Sequence, residues 1–302
     1  MPYLFRHEFL HIDVLKTNQL YGAHVAFKCA QLYRKPLYIR QGYSFFESQS
    51  GKFVAADSRV KHAKEYECKF LRMADAVAFS TKEMVAAAIK RCDLDLNLVS
   101  VLPNYVVESH WSPPHSSVCL SGQITRIGYL GKFTDQKNLE SLIEACVGLP
   151  VQLSLIGDGE LGSSLKKLAS QLNVKAEFSG RVKQSIACEI LRKCKCFVLP
   201  SHYEGHPKAL IEAMAFGMPV IGTDSLGIRN EIIDGKTGLL VPPTVGGLKS
   251  GIESMLRLSD AERKKMGMLA RDCVLKKYSL PRIARLDRDI VNQVYSFGPD
   301  LK

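Results

Sequence analysis

Long hydrophobic runs are missing from this chain of 302 residues. No apolar stretch approaches the roughly 18 residues that cross a bilayer as a helix, which excludes a helical membrane span. The start, MPYLFRHEFLH, lacks the apolar centre of a signal peptide. Metal-ligand patterns are scarce as well. Nine cysteines are scattered without zinc spacing, and Cys194 and Cys196 abut the stretch CFVLP with no His or Cys partners at that spacing. An odd cysteine count in a large chain predicts reduced thiols and a cytoplasmic location. Internal repeats, low-complexity segments and interleaved aromatic and basic residues are also lacking, so a solenoid and a nucleic-acid partner are not expected.

What the sequence does have is the composition of a globular protein, 46% hydrophobic and 24% charged, at a length that accommodates two domains. The net charge is +11, and residues 257–302 carry 11 basic against 6 acidic side chains. Such an excess suits an anionic membrane surface or a phosphate-bearing substrate, or is simply a solvated tail.

From 125 to 245, short apolar segments alternate with helical patterns, the signature of stacked βαβ units on a parallel sheet. TRIGYLG, VQLSLIG, AEFSG, CFVLP, PVIGT and GLLVPP read as strands. Helices are expected to begin near Asn138, Glu160, Gln184, Pro207 and Ile228, with two more over 246–258 and 260–277. IDVLKT, PLYIRQ, AVAFS and LVSVLPN continue the pattern in the first hundred residues, with helices over 18–33, 56–74 and 81–92. The connector VVESHWSPPHSS, with two prolines and no periodicity, marks a domain boundary. The expected architecture is α/β, two Rossmann-like domains whose parallel sheets face a cleft: 1–112, then 118–278, with 279–302 returning to the first domain. Ligands of such sheets bind at the carboxyl ends of the strands.

Several residues fall at such ends. In GKFTDQKNL, Gly131 closes a strand, and Lys132 and Lys137 flank a turn before a helix, a setting that can hold a diphosphate. GDGE at 157–160 lacks the third glycine of a dinucleotide loop and reads as a strand-to-helix turn. DLD at 93–95 reads as a solvated helix end rather than a metal motif. HYEGHPKALIEAMAFGMPV places Glu204 and Glu212 around Gly205 and Pro207. On one unbroken helix the two carboxylates would stand about 12 Å apart along the axis. Gly205 and Pro207 break it, so Glu204 belongs to a loop and Glu212 to the helix, an arrangement able to accept bonds from vicinal hydroxyls.

The stretches GYLGKFTDQKNLESLIEA, LSLIGDGELGSSLKKLA, FSGRV and FVLPSHYEGHPKALIEAMAFGMPVIGTDSLGIRNEIIDGKTGLLVPP together resemble the glycogen-synthase-like retaining glycosyltransferases with the GT-B fold (group 1, family 4). The resemblance implies that the glutamates are the family's Glu-x7-Glu pair, Glu212 holding the ribose of a nucleotide sugar and Glu204 the hydroxyls of the donor sugar. Lys132, where the family commonly has arginine, and Lys137 would neutralise the donor diphosphate. Arg181 and Val182 would border the nucleobase, and Gly205, His206 and Pro207 would face the phosphate and sugar. Where the family has a histidine before a glycine, this chain has Gln41 before Gly42, with Arg40 adjacent, and either could donate hydrogen bonds to the donor sugar or phosphate.

The implied chemistry is sugar transfer from a nucleoside diphosphate to a saccharide or lipid-linked acceptor, with retention, in surface glycan synthesis. It requires neither cofactor nor metal, and it suits a cytoplasmic protein at the inner face of a membrane. Fewer strands precede IDVLKT than the family typically has, which implies an incomplete N-terminal domain. The alternative is therefore a donor-binding subunit or inactive pseudoenzyme that needs a partner chain on the acceptor side.

Overall fold

The computed structural model describes residues 6–50, 57–111 and 125–297. The chain forms two compact units, Met1–Tyr105 with Pro281–Lys302, and Val106–Leu280.

The first unit runs α1 (Arg6–His11), β1 (Leu15–Thr17), α2 (Ala23–Tyr33), β2 (Leu37–Gln41), α3 (Phe45–Ser50), α4 (Ser58–Arg72), β3 (Ala76–Phe79), α5 (Lys82–Cys92) and β4 (Val99–Val101). Its four strands are all parallel, in the order β1-β2-β3-β4. The central strand β3, AVAF, is buried throughout, as befits a strand covered on both faces. Leu37, Ile39, Val77 and Phe79 pack with α2, α4 and α5 on one face. Tyr38, Ala76 and Ala78 meet Ile283, Ile290 and Val294 of the last helix, labelled α12 below, on the other. Local chemistry sets the helix starts. Asp57 caps α4 through the Arg59 N–H, and Thr81 caps α5 through the Met84 N–H.

The second unit runs β5 (Thr125–Leu130), α6 (Leu139–Ala145), β6 (Val151–Ile156), α7 (Gly162–Gln171), β7 (Ala176–Gly180), α8 (Gln184–Arg192), β8 (Cys196–Leu199), α9 (Lys208–Ala215), β9 (Val220–Thr223), β10 (Leu239–Val241), α10 (Val245–Arg257) and α11 (Asp260–Tyr278). The final helix α12 (Leu280–Phe297) lies almost wholly in the first unit. The six parallel strands are ordered β10-β9-β8-β5-β6-β7. Chain order therefore reverses between β5 and β8, which makes that pair the topological switch point, where the loops leaving two neighbouring strands diverge and leave a crevice. A capping box of Ser259 and Glu262 starts α11.

Four features depart from the sequence reading. No helix starts at Ile228; residues 226–231 form successive turns, with the Arg229 N–H donating to Ser225 and the Glu231 and Ile232 N–H groups to Ile228. Gly227 there has φ +86°, and a Cβ on it would lie 2.3 Å from the Glu204 carbonyl oxygen. The apolar spacing of Ile228 and Ile232 reflects a turn seated over Gly222, not a helix face. The helix expected over 56–74 begins at Ser58 and is preceded by α3, which periodicity missed. The connector is not a bare linker. Val106 and Trp111 are buried in the core of the second unit, and the rest of it, 112–117, lies outside the described residues.

The fourth departure concerns the thiols. Cys68 and Cys92 form a disulfide with Cα atoms 4.8 Å apart, tying α4 to the end of α5. The expectation of uniformly reduced cysteines fails because helix packing, not spacing in the sequence, brings these two side chains together. Cys146, Cys188 and Cys196 are buried thiols, and burial pushes Cys146 up to about 12. They are packing residues. The acids of DLD are also structural: Asp93 ends α5 and Asp95 accepts the Asn97 N–H.

Candidate active site

The crevice between β5 and β8 is built from the loops that leave those two strands. After β5 the chain bends at Gly131, where a Cβ would lie 2.5 Å from the Tyr129 hydroxyl. That hydroxyl donates to the Lys132 carbonyl at 2.8 Å, so a buried ring fixes the bend from below. Burial, reinforced by the nearby Glu204 carboxylate, raises the Tyr129 hydroxyl well above its ordinary range and keeps it a donor. The 131–133 segment lies directly against GDGE. A Cβ on Gly157 would sit 1.8 Å from the Gly131 carbonyl oxygen, and one on Gly159 would sit 2.3 Å from that of Phe133. Phe133 N–H donates to Asp158 at 3.0 Å, and Leu161 N–H returns a bond to Phe133 at 3.2 Å. GDGE is thus a turn, and its glycines let two backbones touch. Sequence alone indicated the turn but not the contact.

Past Lys132, which is exposed, a short 3-10 turn over Asp135–Lys137 carries the second lysine. Asn138 follows with φ +52°, and its buried amide donates to Pro200 at 3.1 Å and Pro243 at 3.3 Å. The loop after β8 docks on this turn. His202 N–H donates to Gln136 at 2.9 Å, and the Gln136 amide donates to Tyr203 at 2.8 Å.

Both glutamates are held. Glu204, on the loop, accepts Lys137 Nζ at 2.5 Å and Ser201 Oγ at 2.7 Å, both on Oε1. Its side chain is 10% exposed and that of Lys137 is 19%. Sequence reasoning missed this pairing. Glu212 lies in the second turn of α9, 16% exposed, with Lys208 Nζ at 3.6 Å from Oε1. Burial raises its carboxyl above the ordinary value, and Lys208 pulls it partly back. Between them Pro207 occupies the N-cap position of α9, and no side chain caps it. The first N–H groups of α9 are therefore left for whatever enters.

His206 is buried between the glutamates and packs edge-on against Tyr278, ring centroids 4.9 Å apart. The Tyr278 hydroxyl donates to Glu231 at 2.9 Å, and Glu231 Oε1 is 3.8 Å from His206 Nε2. Glu231 and Tyr278 were not singled out from the sequence; they belong to the turn at 228 and the end of α11. Arg181 and Val182 follow β7 directly, Arg181 exposed and Val182 packed on the core. Gln41 belongs to the first unit, at the end of β2. It is fully buried, and neither amide atom has a hydrogen-bond partner among the described residues.

The second unit thus gathers Gly131, Lys132, Lys137, Glu204, Gly205, His206 and Pro207 on the two loops that leave β5 and β8. Two cations, two carboxylates and an uncapped helix N-terminus suit a ligand that is anionic at one end and rich in hydroxyls at the other.

Comparisons with known proteins identify the family and the fold. The sequence profile described as glycosyl transferases group 1 matches residues 122–272. The lipopolysaccharide core biosynthesis glycosyltransferase LpsE of Rhizobium meliloti is 38% identical over 117 residues, 37% of this chain and 33% of that protein. The chain thus spans about a third of the length of that curated relative. Sucrose-phosphate synthase of Thermosynechococcus elongatus superposes with a TM-score of 0.83 at 21% identity, covering 98% of this chain and 78% of that one. HepE of Anabaena, solved with UDP and glucose, gives 0.82 at 16% identity, covering 97% and 81%. These structures share the GT-B fold, with two Rossmann-like parallel sheets. The chain belongs to the group 1 glycosyl transferases.

Proposed function

We propose that the crevice of the second unit binds a nucleoside diphosphate sugar, and that the protein transfers the sugar to a hydroxyl of a saccharide or lipid-linked acceptor with retention at the anomeric carbon. The observation that carries this reading is the placement of Glu204 and Glu212 on either side of the uncapped start of α9, at the switch point of the sheet. Glu212 takes the ribose hydroxyls. Glu204, whose Oε1 is occupied by Lys137 and Ser201, offers Oε2 to a sugar hydroxyl. Arg181 and Val182 border the nucleobase through their backbone.

As the bond to the anomeric carbon breaks, negative charge grows on the departing diphosphate. Lys137, held by Glu204, and the α9 N-terminus are in place before the reaction and stabilise that charge, and the exposed Lys132 adds a second cation. Lys137 serves both ends. It is neutralised by Glu204 in the empty site and shares its protons with phosphate oxygens in the filled one. No step calls for a metal ion. The likeness to LpsE favours a surface-glycan acceptor presented at the inner face of a membrane.

A second reading is a donor-binding subunit whose acceptor side is completed by a partner chain. It is favoured by β1, which pairs with β2 on one side and with no other strand among the described residues. One experiment separates the two: incubate the purified chain with UDP-, GDP- and ADP-sugars and a panel of glycan acceptors. Release of nucleoside diphosphate coupled to acceptor labelling supports the enzyme. Donor binding without turnover supports the subunit, and neither binding nor turnover refutes both.

A further inference from the structure

The first unit carries a cationic cleft that the sugar-transfer site does not use. It has a volume of about 710 Å³ and is lined by Lys61, Lys64, Lys69, Arg72 and Arg91, with Glu65 as the one carboxylate and Cys68 and Met73 as the apolar floor. Lys61, Lys64, Cys68 and Arg72 recur at spacings of three and four, so one face of α4 supplies most of the wall. Arg91 comes from the end of α5, and the Cys68–Cys92 disulfide joins the two helices at this point.

The arginines are set in place before any ligand arrives. Arg72 Nε donates to the Cys92 carbonyl at 2.6 Å. Arg91 is held by Glu67 at 2.5 Å and Ser44 at 3.2 Å, and it stacks on Phe46 with its guanidinium 4.9 Å from the ring centre. The lysines differ. Lys61, Lys64 and Lys69 are exposed, and none makes an ion pair among the described residues.

Helix dipoles account for part of this charge. Lys69 and Arg72 fall in the last turn of α4 and Arg91 in that of α5, where cations are favoured. Lys61 and Lys64 lie in the first two turns of α4, away from the helix end that favours cations. Lys61–Lys64 and Lys69–Arg72 place like charges three residues apart, which Glu65, four residues from both Lys61 and Lys69, offsets in part. Arg91 is balanced by Glu67 and Glu47, so the cleft keeps Lys61, Lys64, Lys69 and Arg72 against Glu65, an excess that suits an anion from outside. The volume lies in the range of small-ligand sites and exceeds a single phosphate.

We infer that this cleft binds a phosphate-bearing group, a phosphate or diphosphate monoester that is either free in solution or the headgroup of a lipid. Arg72 meets phosphate oxygens with its planar fork, and the three lysines neutralise the remaining charge. The cleft runs along α4 from Lys61 to Arg72 and on to the end of α5, and none of its lining residues lies on the loops that leave β5 and β8.

The test uses the full chain and the variant Lys61→Gln/Lys64→Gln/Lys69→Gln, with Lys167→Gln/Lys264→Gln/Lys265→Gln, exposed lysines of the second unit, as the charge-matched control. Two probes are applied, inorganic pyrophosphate and vesicles of phosphatidylcholine with or without 30% phosphatidylglycerol. Each lysine near an anionic surface contributes about fivefold to affinity, so the cleft variant should bind anionic vesicles on the order of a hundredfold more weakly. Vesicle binding lost in the cleft variant alone identifies a lipid source. Pyrophosphate binding lost in it alone, without vesicle binding, identifies a free one. Failure of both probes on the unmodified chain, or equal losses in both variants, overturns the inference. Donor-induced thermal stabilisation should be unchanged in the cleft variant, which keeps this test independent of the sugar-transfer reading.

Discussion

Gly157→Ala is the substitution the account makes most dangerous. The alanine Cβ would sit 1.8 Å from the Gly131 carbonyl oxygen, at a backbone φ of +138°. An ordinary contact needs about 3.4 Å, so the 131–133 segment must retreat by more than an ångström. The strain of that φ on an L residue costs about 1–3 kcal/mol. The retreat also weakens the 3.0 Å bond from Gly131 N–H to Ile156 and the 3.0 Å bond from Phe133 N–H to Asp158, each worth about 1 kcal/mol. A total near 4 kcal/mol follows, which for a unit of this size lowers the unfolding midpoint by about 8–16 °C. Gly162→Ala is the control. It lies in the same connection at the start of α7, its Cβ would meet nothing closer than 3.7 Å, and it should be neutral or slightly stabilising. Scanning calorimetry of both variants decides the matter, with donor affinity measured alongside, because the displaced segment carries Lys132. If Gly157→Ala unfolds within 2 °C of Gly162→Ala, the two loops do not brace one another and the origin assigned to the site geometry is wrong.

Three further outcomes follow from the same geometry. Lys137→Met strips Glu204 of its ammonium partner and should cost about 2 kcal/mol of stability; Lys137→Met/Glu204→Gln should regain most of it, and strictly additive effects in urea unfolding would contradict the pairing. Glu212 has a folded-state pKa raised above its unfolded value, so the folded state binds the extra proton, and the stability Glu212 contributes declines as pH rises from the unfolded value through the folded one. Donor hydroxyls prefer the ionised carboxylate, so donor affinity should rise over that same window, and Glu212→Gln should flatten both profiles. Arg271, buried on α11, donates to the carbonyls of Trp111 at 2.8 Å and of Ala215, and to Glu108 at 2.8 Å; Arg271→Met should cost about 3 kcal/mol, measured by chemical unfolding, and a loss below 1 kcal/mol would contradict its role in anchoring the end of α9.

The alternation of strands and helices was legible because parallel strands covered on both faces read as unbroken apolar runs, as in CFVL and VIGT. The break between Glu204 and Glu212 was legible too, since Gly205 and Pro207 are local signals. What escaped depends on strand order. Lys137 meets Glu204 across 67 residues because β5 and β8 are neighbours, and no spacing rule encodes that. Gly157 and Gly159 announce a turn, but their contact with the 131–133 segment follows from β5 lying beside β6. The turn at Ile228 imitates a helix because burying one side of a tight turn produces the same apolar interval. Cys68 and Cys92 meet through the packing of α4 on α5, and α3 is too short to show a period.

The central claim is that the crevice at the β5–β8 switch point is a nucleotide-sugar site read by Glu204 and Glu212. Thermal unfolding of the full chain against UDP-, GDP- and ADP-sugars, beside Glu212→Ala, tests it most directly. One donor class at about 100 times its dissociation constant should add about 2.7 kcal/mol to the stability of the unmodified chain, and the gain should vanish in the variant. A folded protein that none of the three classes stabilises, or a gain that persists in Glu212→Ala, would contradict the claim.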